Sequence, residues 1–241
     1  MDIPILFQDD DLVIVNKPAG VIVNRANTVR EETIQDWIDK NLKLQNSNLK
    51  EEEKDFRLRS GLVHRIDKET SGCLIIAKNP QSFFKLQTAF KERLIKKEYV
   101  ALVHGKLTPN VGEVNAPVGR LPWNRQHFGV VPGGKEAHTH YSVERYYSDN
   151  LGNNYTLARL APTTGRTHQI RVHMKYLGFP LVGDYLYAGR KQQDKDRTWC
   201  PRVFLHAAKI TFPLLQSSEM KTISAPLPLD LNNVLNSLIP I

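Results

Sequence analysis

The sequence predicts an α+β fold: a mixed, largely antiparallel sheet with flanking helices and loops. Three observations predict it. Short strand-like runs of apolar and β-branched residues recur along the chain. Helical periodicity is confined to a few short stretches. Two strand-like runs, 139–148 and 155–161, flank a turn-rich 149–154, which is the pattern of an antiparallel pair.

Taken in order, residues 5–8, 12–16 and 20–24 read as strands, with Lys17-Pro18-Ala19-Gly20 as a turn between the last two. Residues 33–44 carry apolar side chains at helical spacing (Ile34, Trp37, Ile38, Leu42). Residues 45–57, QNSNLKEEEKDFR, are polar and charge-rich and read as an exposed loop. The strand style resumes after it, so residues 1–241 are expected to form a single domain.

Asn79-Pro80 combines a capping side chain with proline at the first helical position, and Phe83, Leu86, Phe90 and Leu94 follow at helical spacing. Residues 96–105 read as a strand with Lys97, Tyr99, Ala101 and Val103 on one face. Residues 108–131, dense in Gly and Pro, read as a basic loop. Thr167 is expected to cap a helix running to Tyr176 and stopped by Gly178. A strand over 203–212, ended by Pro213, and a short helix over 230–238 complete the chain.

The bulk numbers bound the function. A chain of 241 residues can bury a substantial core, and 41% hydrophobic with 24% charged is ordinary for a globular protein. The charge balance is not neutral: 33 Lys and Arg against 25 Asp and Glu leave +8. Such an excess favours polyanionic partners, since each phosphate neutralised releases a counterion. The two cysteines show no metal spacing and make no disulfide framework, which fits a reducing, cytoplasmic setting. The N-terminus has neither signal-peptide nor transit-peptide character, and no apolar run reaches the roughly 18 residues of a membrane span.

Three stretches concentrate chemistry. The first is LVHRIDKETSGCLIIAKN, residues 62–79, where ionisable and hydroxylic residues lie between two apolar runs. If Leu62-Val63 and Leu74-Ile75-Ile76-Ala77 are strands, His64 to Gly72 connects them at a sheet end, where loops commonly present catalytic groups. Arg65 and Asp67 sit two apart, and Thr70-Ser71-Gly72 offers hydroxyls and a flexible backbone. An aspartate in that company suits a nucleophile. On charges alone a surface ion-pair cluster is the alternative.

The second stretch is APTTGRTHQIRVH, residues 161–173. Hydroxyls and arginines at a helix start make an anion site, but Arg171 opposes the helix dipole, so it is expected to have a carboxylate partner. The third is Tyr99 in KKEYVAL, which serves either as packing or as a stacking face for a base. The histidines complete no metal-ligand set, and GVVPGGK at 129–135 has phosphate-loop spacing with Glu136 where Ser or Thr belongs, so no metal site and no phosphate loop are expected.

Together these stretches resemble the RluA-type family of pseudouridine synthases. The family's central signature is similar to His64-Arg65-Ile66-Asp67-Lys68-Glu69-Thr70-Ser71-Gly72, with Ile66 where leucine is commoner. Lys97-Glu98-Tyr99 and Gly165-Arg166-Thr167-His168-Gln169-Ile170-Arg171-Val172-His173 resemble its later motifs. So do Leu12-Val13-Ile14-Val15-Asn16-Lys17-Pro18-Ala19-Gly20, Gly178-Phe179-Pro180-Leu181-Val182-Gly183-Asp184 and Leu205-His206-Ala207. The similarity begins within the first dozen residues, which implies a form without the N-terminal S4 RNA-binding domain of many relatives.

The resemblance implies a single catalytic domain with a cleft across the sheet, and an isomerase that modifies uridine in RNA without cofactor or metal. The N1–C1′ bond breaks, the uracil turns, and C5 bonds to the ribose. Asp67 matches the catalytic aspartate, acting at C6, at C1′ or through a glycal. Arg171 matches the arginine that pairs with it, and Tyr99 the tyrosine that stacks on the target ring. Arg65 matches the arginine that enters the space left by the flipped nucleotide. His64, Arg166, Ile170 and Lys97 lie in the same motifs on the RNA-binding side. The implied partner is a tRNA or 23S-type rRNA stem-loop; a monomer is expected because no heptad or repeat in the sequence signals self-association. Flipping is required because neither C6 nor C1′ is accessible in stacked RNA. Two further readings stand beside this one: a catalytically silent RNA-binding protein, and a hydrolase pairing Asp67 with Glu69. The hydrolase is disfavoured, since carboxylates two residues apart in one turn could hardly flank a sugar.

Overall fold

The structure, a computed structural model, describes residues 1–45, 51–217 and 219–241. By its internal contacts the chain divides into two compact units. Met1–Lys96 with Ala208–Pro226 form the first, and Lys97–Ala207 with Leu227–Ile241 the second.

In the first unit, strands β1 (Ile5–Gln8), β2 (Leu12–Lys17) and β3 (Ser71–Ala77) pair in that order, antiparallel. β10 (Leu205–Pro213), whose residues from Ala208 onward belong to this unit, lies next to β3 and pairs antiparallel with β11 (Met220–Ser224). Helix α1 (Ile34–Asn41) opens with a full capping box: Thr33 Oγ1 accepts from the Asp36 N–H, and the Asp36 carboxylate accepts from the Thr33 N–H. Helix α3 (Pro80–Lys91) starts as expected, with the Asn79 side chain accepting from the Ser82 N–H. Leu12, Ile14, Phe56, Cys73, Ile75, Phe83, Leu86 and Phe212 are fully or almost fully buried in one core.

Two expectations for this unit are corrected. Residues 20–24 are not a strand; the Ile22 and Val23 carbonyls accept from the Ile34 and Gln35 N–H groups. The segment thus satisfies the first, otherwise orphaned, donors of α1 instead of joining the sheet. Within 45–57, residues 46–50 lie outside the described residues. The remainder holds a 3₁₀ turn (Glu51–Glu53) and helix α2 (Lys54–Leu58), not a loop. Phe56 anchors α2, its ring 5.7 Å from that of Phe83 in an edge-on contact.

In the second unit, β4 (Lys96–His104), apart from its first residue, pairs with β9 (Asn154–Pro162), and β9 with β8 (His138–Ser148), all antiparallel. β8 also takes β5 (Val111–Asn115) along its first half and β12 (Ile239–Pro240) at its end. The stretch expected to be a loop, 108–131, instead supplies β5 and a hairpin of β6 (Val118–Leu121) and β7 (Asn124–Val130). Its glycines are there for close approach, not for turns. Gly119 and Gly129 face each other in register, and a Cβ on either would fall within 2.7 Å of the Val131 or Leu121 side chain. The phosphate-loop-like run 129–135 continues from this hairpin into a turn, with no helix behind it.

Helices α4 (Gln169–Tyr176), α5 (Arg190–Asp196) and α6 (Leu229–Asn236) complete the unit. α5 carries no apolar period, and the sequence does not announce it. α4 begins one residue later than the Thr167 cap would place it: Thr167 is exposed and His168 stands at the N-cap in a left-handed conformation, φ 55°. The stop at Gly178 is as expected. With φ +88° it lets its own N–H reach Lys175 O and the Phe179 N–H reach Met174 O, closing the helix with a Schellman motif. Among the described residues no helix is long and apolar enough to cross a membrane.

Candidate functional site

His64, Arg65 and Asp67 lie in the first unit; Lys97, Tyr99, Arg166, Ile170 and Arg171 lie in the second. Each group is built by its own unit.

In the first unit, Leu62 makes one isolated bridge to Ile76, and β3 begins only at Ser71, so 63–70 is an irregular connection into the strand. Leu62 and Val63 are therefore not a strand of their own. The connection is nonetheless anchored. Gly61 lies so near Ala77 O that a Cβ would fall 2.1 Å from it. Thr70 N–H donates to Asp67 O at 3.1 Å, closing a tight turn on the aspartate. The Lys68 carbonyl at the tip accepts from Gly20 N–H at 2.8 Å and from Lys17 Nζ at 3.1 Å.

Lys17 is fully buried, and its ammonium also donates to Pro18 O and Val21 O. A buried ammonium is tolerated because three carbonyls satisfy its three donors. It ties β2, the segment after it and the aspartate turn together. The signature residues alternate accordingly: Ile66 is buried, Arg65 exposed and Asp67 half-buried. His64 Nε2 accepts from the Ile75 N–H at 3.0 Å, and its ring lies 4.9 Å from that of Phe90. Those contacts hold the start of the connection against β3 and α3.

In the second unit, Tyr99 sits on β4 opposite Leu160 of β9 and is nearly buried. Lys97, two residues earlier, is half-buried with Nζ 3.4 Å from Thr164 O, and burial pulls its ammonium down to about 8. The GRTHQIRVH stretch is held by Gln169, the first helical residue. Its Oε1 accepts from Thr164 Oγ1 and Arg166 N–H, while its Nε2 donates to His138 O and Thr139 Oγ1. Thr139 Oγ1 lies 2.9 Å from His173 Nδ1, and His173 Nε2 lies 2.9 Å from Ala116 O. A carbonyl only accepts, so Nε2 carries the ring proton and Nδ1 accepts from Thr139. Burial lowers the His173 pKa, which agrees with a neutral ring.

Arg166 is exposed and its Nε donates to Glu136 O, whereas Ile170 is buried. Arg171 is buried and finds a carboxylate that the residue-by-residue reading did not assign: Asp184, fully buried, accepts from Nε and Nη2, each at 2.7 Å. Asp184 Oδ1 also accepts from the Leu186 and Tyr187 N–H groups. The guanidinium lies 5.0 Å from the Tyr187 ring centroid. Tyr187 Oη in turn meets Phe128 N–H and His168 Nδ1. Asp184 and Tyr187 were the missed supports. The sequence signal for them was the Gly183-Asp184 turn after an apolar run, 13 residues past Arg171.

A family model for RNA pseudouridylate synthase matches residues 11–176, which contain all eight of these site residues. The chain belongs to the RNA pseudouridylate synthase family. It is 37% identical over 239 residues to the uncharacterized RNA pseudouridine synthase YlyB of Bacillus subtilis, covering 99% of this chain and 73% of that one. It is 37% identical over 238 residues to the ribosomal large subunit pseudouridine synthase D of Nitrosomonas europaea, covering 97% of this chain and 64% of that one. Among solved structures, human RNA pseudouridylate synthase domain containing 1 superposes with a TM-score of 0.73 at 26% identity, over 100% of this chain and 89% of that one. The RNA pseudouridylate synthase family thus accounts for the α+β, largely antiparallel architecture as well as the motifs.

Proposed function

We propose that this protein is an RNA pseudouridine synthase, that residues 1–241 act as one catalytic domain and as a monomer, and that Asp67, Tyr99 and Arg171 are its catalytic residues. Asp67 is the carboxylate that acts on the target uridine, and Tyr99 the ring on which the flipped base stacks. The reaction balances: N1–C1′ breaks, C5–C1′ forms, the C5 proton leaves to solvent and N1 takes one proton up, so no cofactor or metal is required. Arg65, His64, Arg166, Ile170 and Lys97 serve the RNA side, and the +8 charge helps hold the phosphate backbone.

The observation that carries this reading is the family match over residues 11–176, together with the tightly anchored Asp67 turn. The substrate is a structured RNA, tRNA or large-subunit rRNA. Relatives named as ribosomal large subunit synthases favour the rRNA.

Tritium release from 5-tritiated uridine in bulk tRNA and in large-subunit rRNA tests both parts. Wild type is expected to release tritium, and Asp67→Asn to release none. Equal release by both would remove Asp67 from the mechanism. Absence of release on either RNA would favour a silent RNA-binding protein, and free uracil as product a hydrolase.

A further inference from the structure

The second unit holds a pocket of about 730 Å³ lined by His104, Asp149, Tyr155, Lys195 and Trp199, with Asn154 at its wall. None of the eight site residues lines it. That volume is within the range of small-molecule sites. Its frame is tied together: Gly105 N–H donates to Asn154 O at 2.7 Å, and Thr156 Oγ1 donates to Gly105 O at 2.7 Å. Tyr155 and Trp199 meet edge to face, ring centroids 5.3 Å apart, and the Tyr155 ring lies 5.5 Å from that of His104.

His104 is oriented by a buried carboxylate. Asp196, fully buried, accepts from Gly183 N–H and Gln192 Nε2, and its Oδ2 lies 2.9 Å from His104 Nε2. The carboxylate only accepts, so Nε2 carries the proton and Nδ1 is left as an acceptor. Among the described residues Nδ1 has no hydrogen-bond partner, nor do the Lys195 ammonium and the Asn154 side-chain amide. Asp149 is otherwise occupied, its carboxylate accepting from Leu151, Asn153 and Tyr155. The pocket therefore offers aromatic surface, an amide, an oriented acceptor and one uncommitted cation.

We propose that this pocket is a nucleotide-binding subsite. A nucleobase packs against Tyr155 and Trp199 and donates an exocyclic N–H to His104 Nδ1, while its phosphate lies on Lys195. The nucleotide comes either from RNA bound for modification or from the free pool. Only the first source rests on the function proposed above.

The test follows the Trp199 indole N–H resonance in ¹⁵N-labelled full-length protein titrated with AMP, with inorganic phosphate as control. AMP is expected to shift it and phosphate alone not to. His104→Gln keeps a donor for Asp196 but loses the Nδ1 acceptor; Lys195→Ala removes an exposed cation. Each is expected to weaken AMP binding about five- to tenfold. In the tritium assay, a raised KM with unchanged kcat in both variants assigns the pocket to RNA, and unchanged KM assigns it to a free nucleotide. No shift at millimolar AMP, or an equal shift from phosphate, overturns the proposal while leaving the catalytic reading intact.

Discussion

Arg171 and Asp184 meet through two parallel charge-assisted hydrogen bonds of 2.7 Å, Nε to Oδ2 and Nη2 to Oδ1, with both side chains sealed from solvent. Such a pair adds little net stability when intact, because desolvation offsets attraction, but breaking it strands a buried charge. Asp184→Ala is expected to cost about 3–5 kcal/mol, measured from urea unfolding midpoints. Asp184→Asn should cost less, since its carbonyl still accepts one bond. A change within about 1 kcal/mol for the alanine variant would contradict the assignment of Asp184 as the support of Arg171.

His173 makes the protein sensitive to acid. Burial lowers its folded-state pKa, while the unfolded imidazole takes a proton near about 6.5. The unfolded state then binds more protons, so stability falls as pH drops below about 6.5 and is unaffected by this group above it. His173→Gln should flatten the decline in Tm between about pH 7.5 and about pH 5.5. Identical slopes in the two proteins would remove His173 as its source.

Lys97 acts in the alkaline range. Its folded ammonium titrates at about 8, and in the unfolded chain at about 10.4. The folded state binds fewer protons between those values, so this group adds stability as pH rises from about 8 to about 10. If Lys97 holds an RNA phosphate, KM rises over the same approach to alkaline pH. Lys97→Arg, which keeps its charge, should remove that rise. The same KM profile in both would exclude Lys97 from phosphate binding.

Both free thiols are buried. Burial pushes Cys73 up to about 11 and Cys200 up to about 12. Native protein at about pH 8 is expected to react with a thiol-specific disulfide reagent many-fold more slowly than protein in guanidinium, where both cysteines titrate. Rapid native modification of either one would show a thiol more open than its place in the core.

What was legible locally came from residues whose signals act on their own neighbours. Asn79 before Pro80 and Gly178 after α4 each satisfy backbone groups within four residues, so the ends they mark follow from the sequence. Residues 20–24 have strand composition but give their carbonyls to α1, and glycines 119 and 129 resemble turn residues but serve strand packing. Thr167 had the right chemistry for a cap and lost the position to His168, whose left-handed backbone no local propensity announces.

By itself the sequence determined the α+β class, the basic charge, the family and the run of residues around Asp67, because composition, periodicity and contiguous motifs are local properties. Tertiary structure alone decided which buried charges are answered, and by what. Lys17 reaches the Lys68 carbonyl 51 residues away, and Arg171 reaches Asp184 across a turn. Gln169, Thr139 and His173 form one hydrogen-bonded chain from a helix start and a strand. A buried polar group must be satisfied by whatever donor or acceptor the fold brings to it, and that partner is chosen by distance in space rather than by distance along the chain.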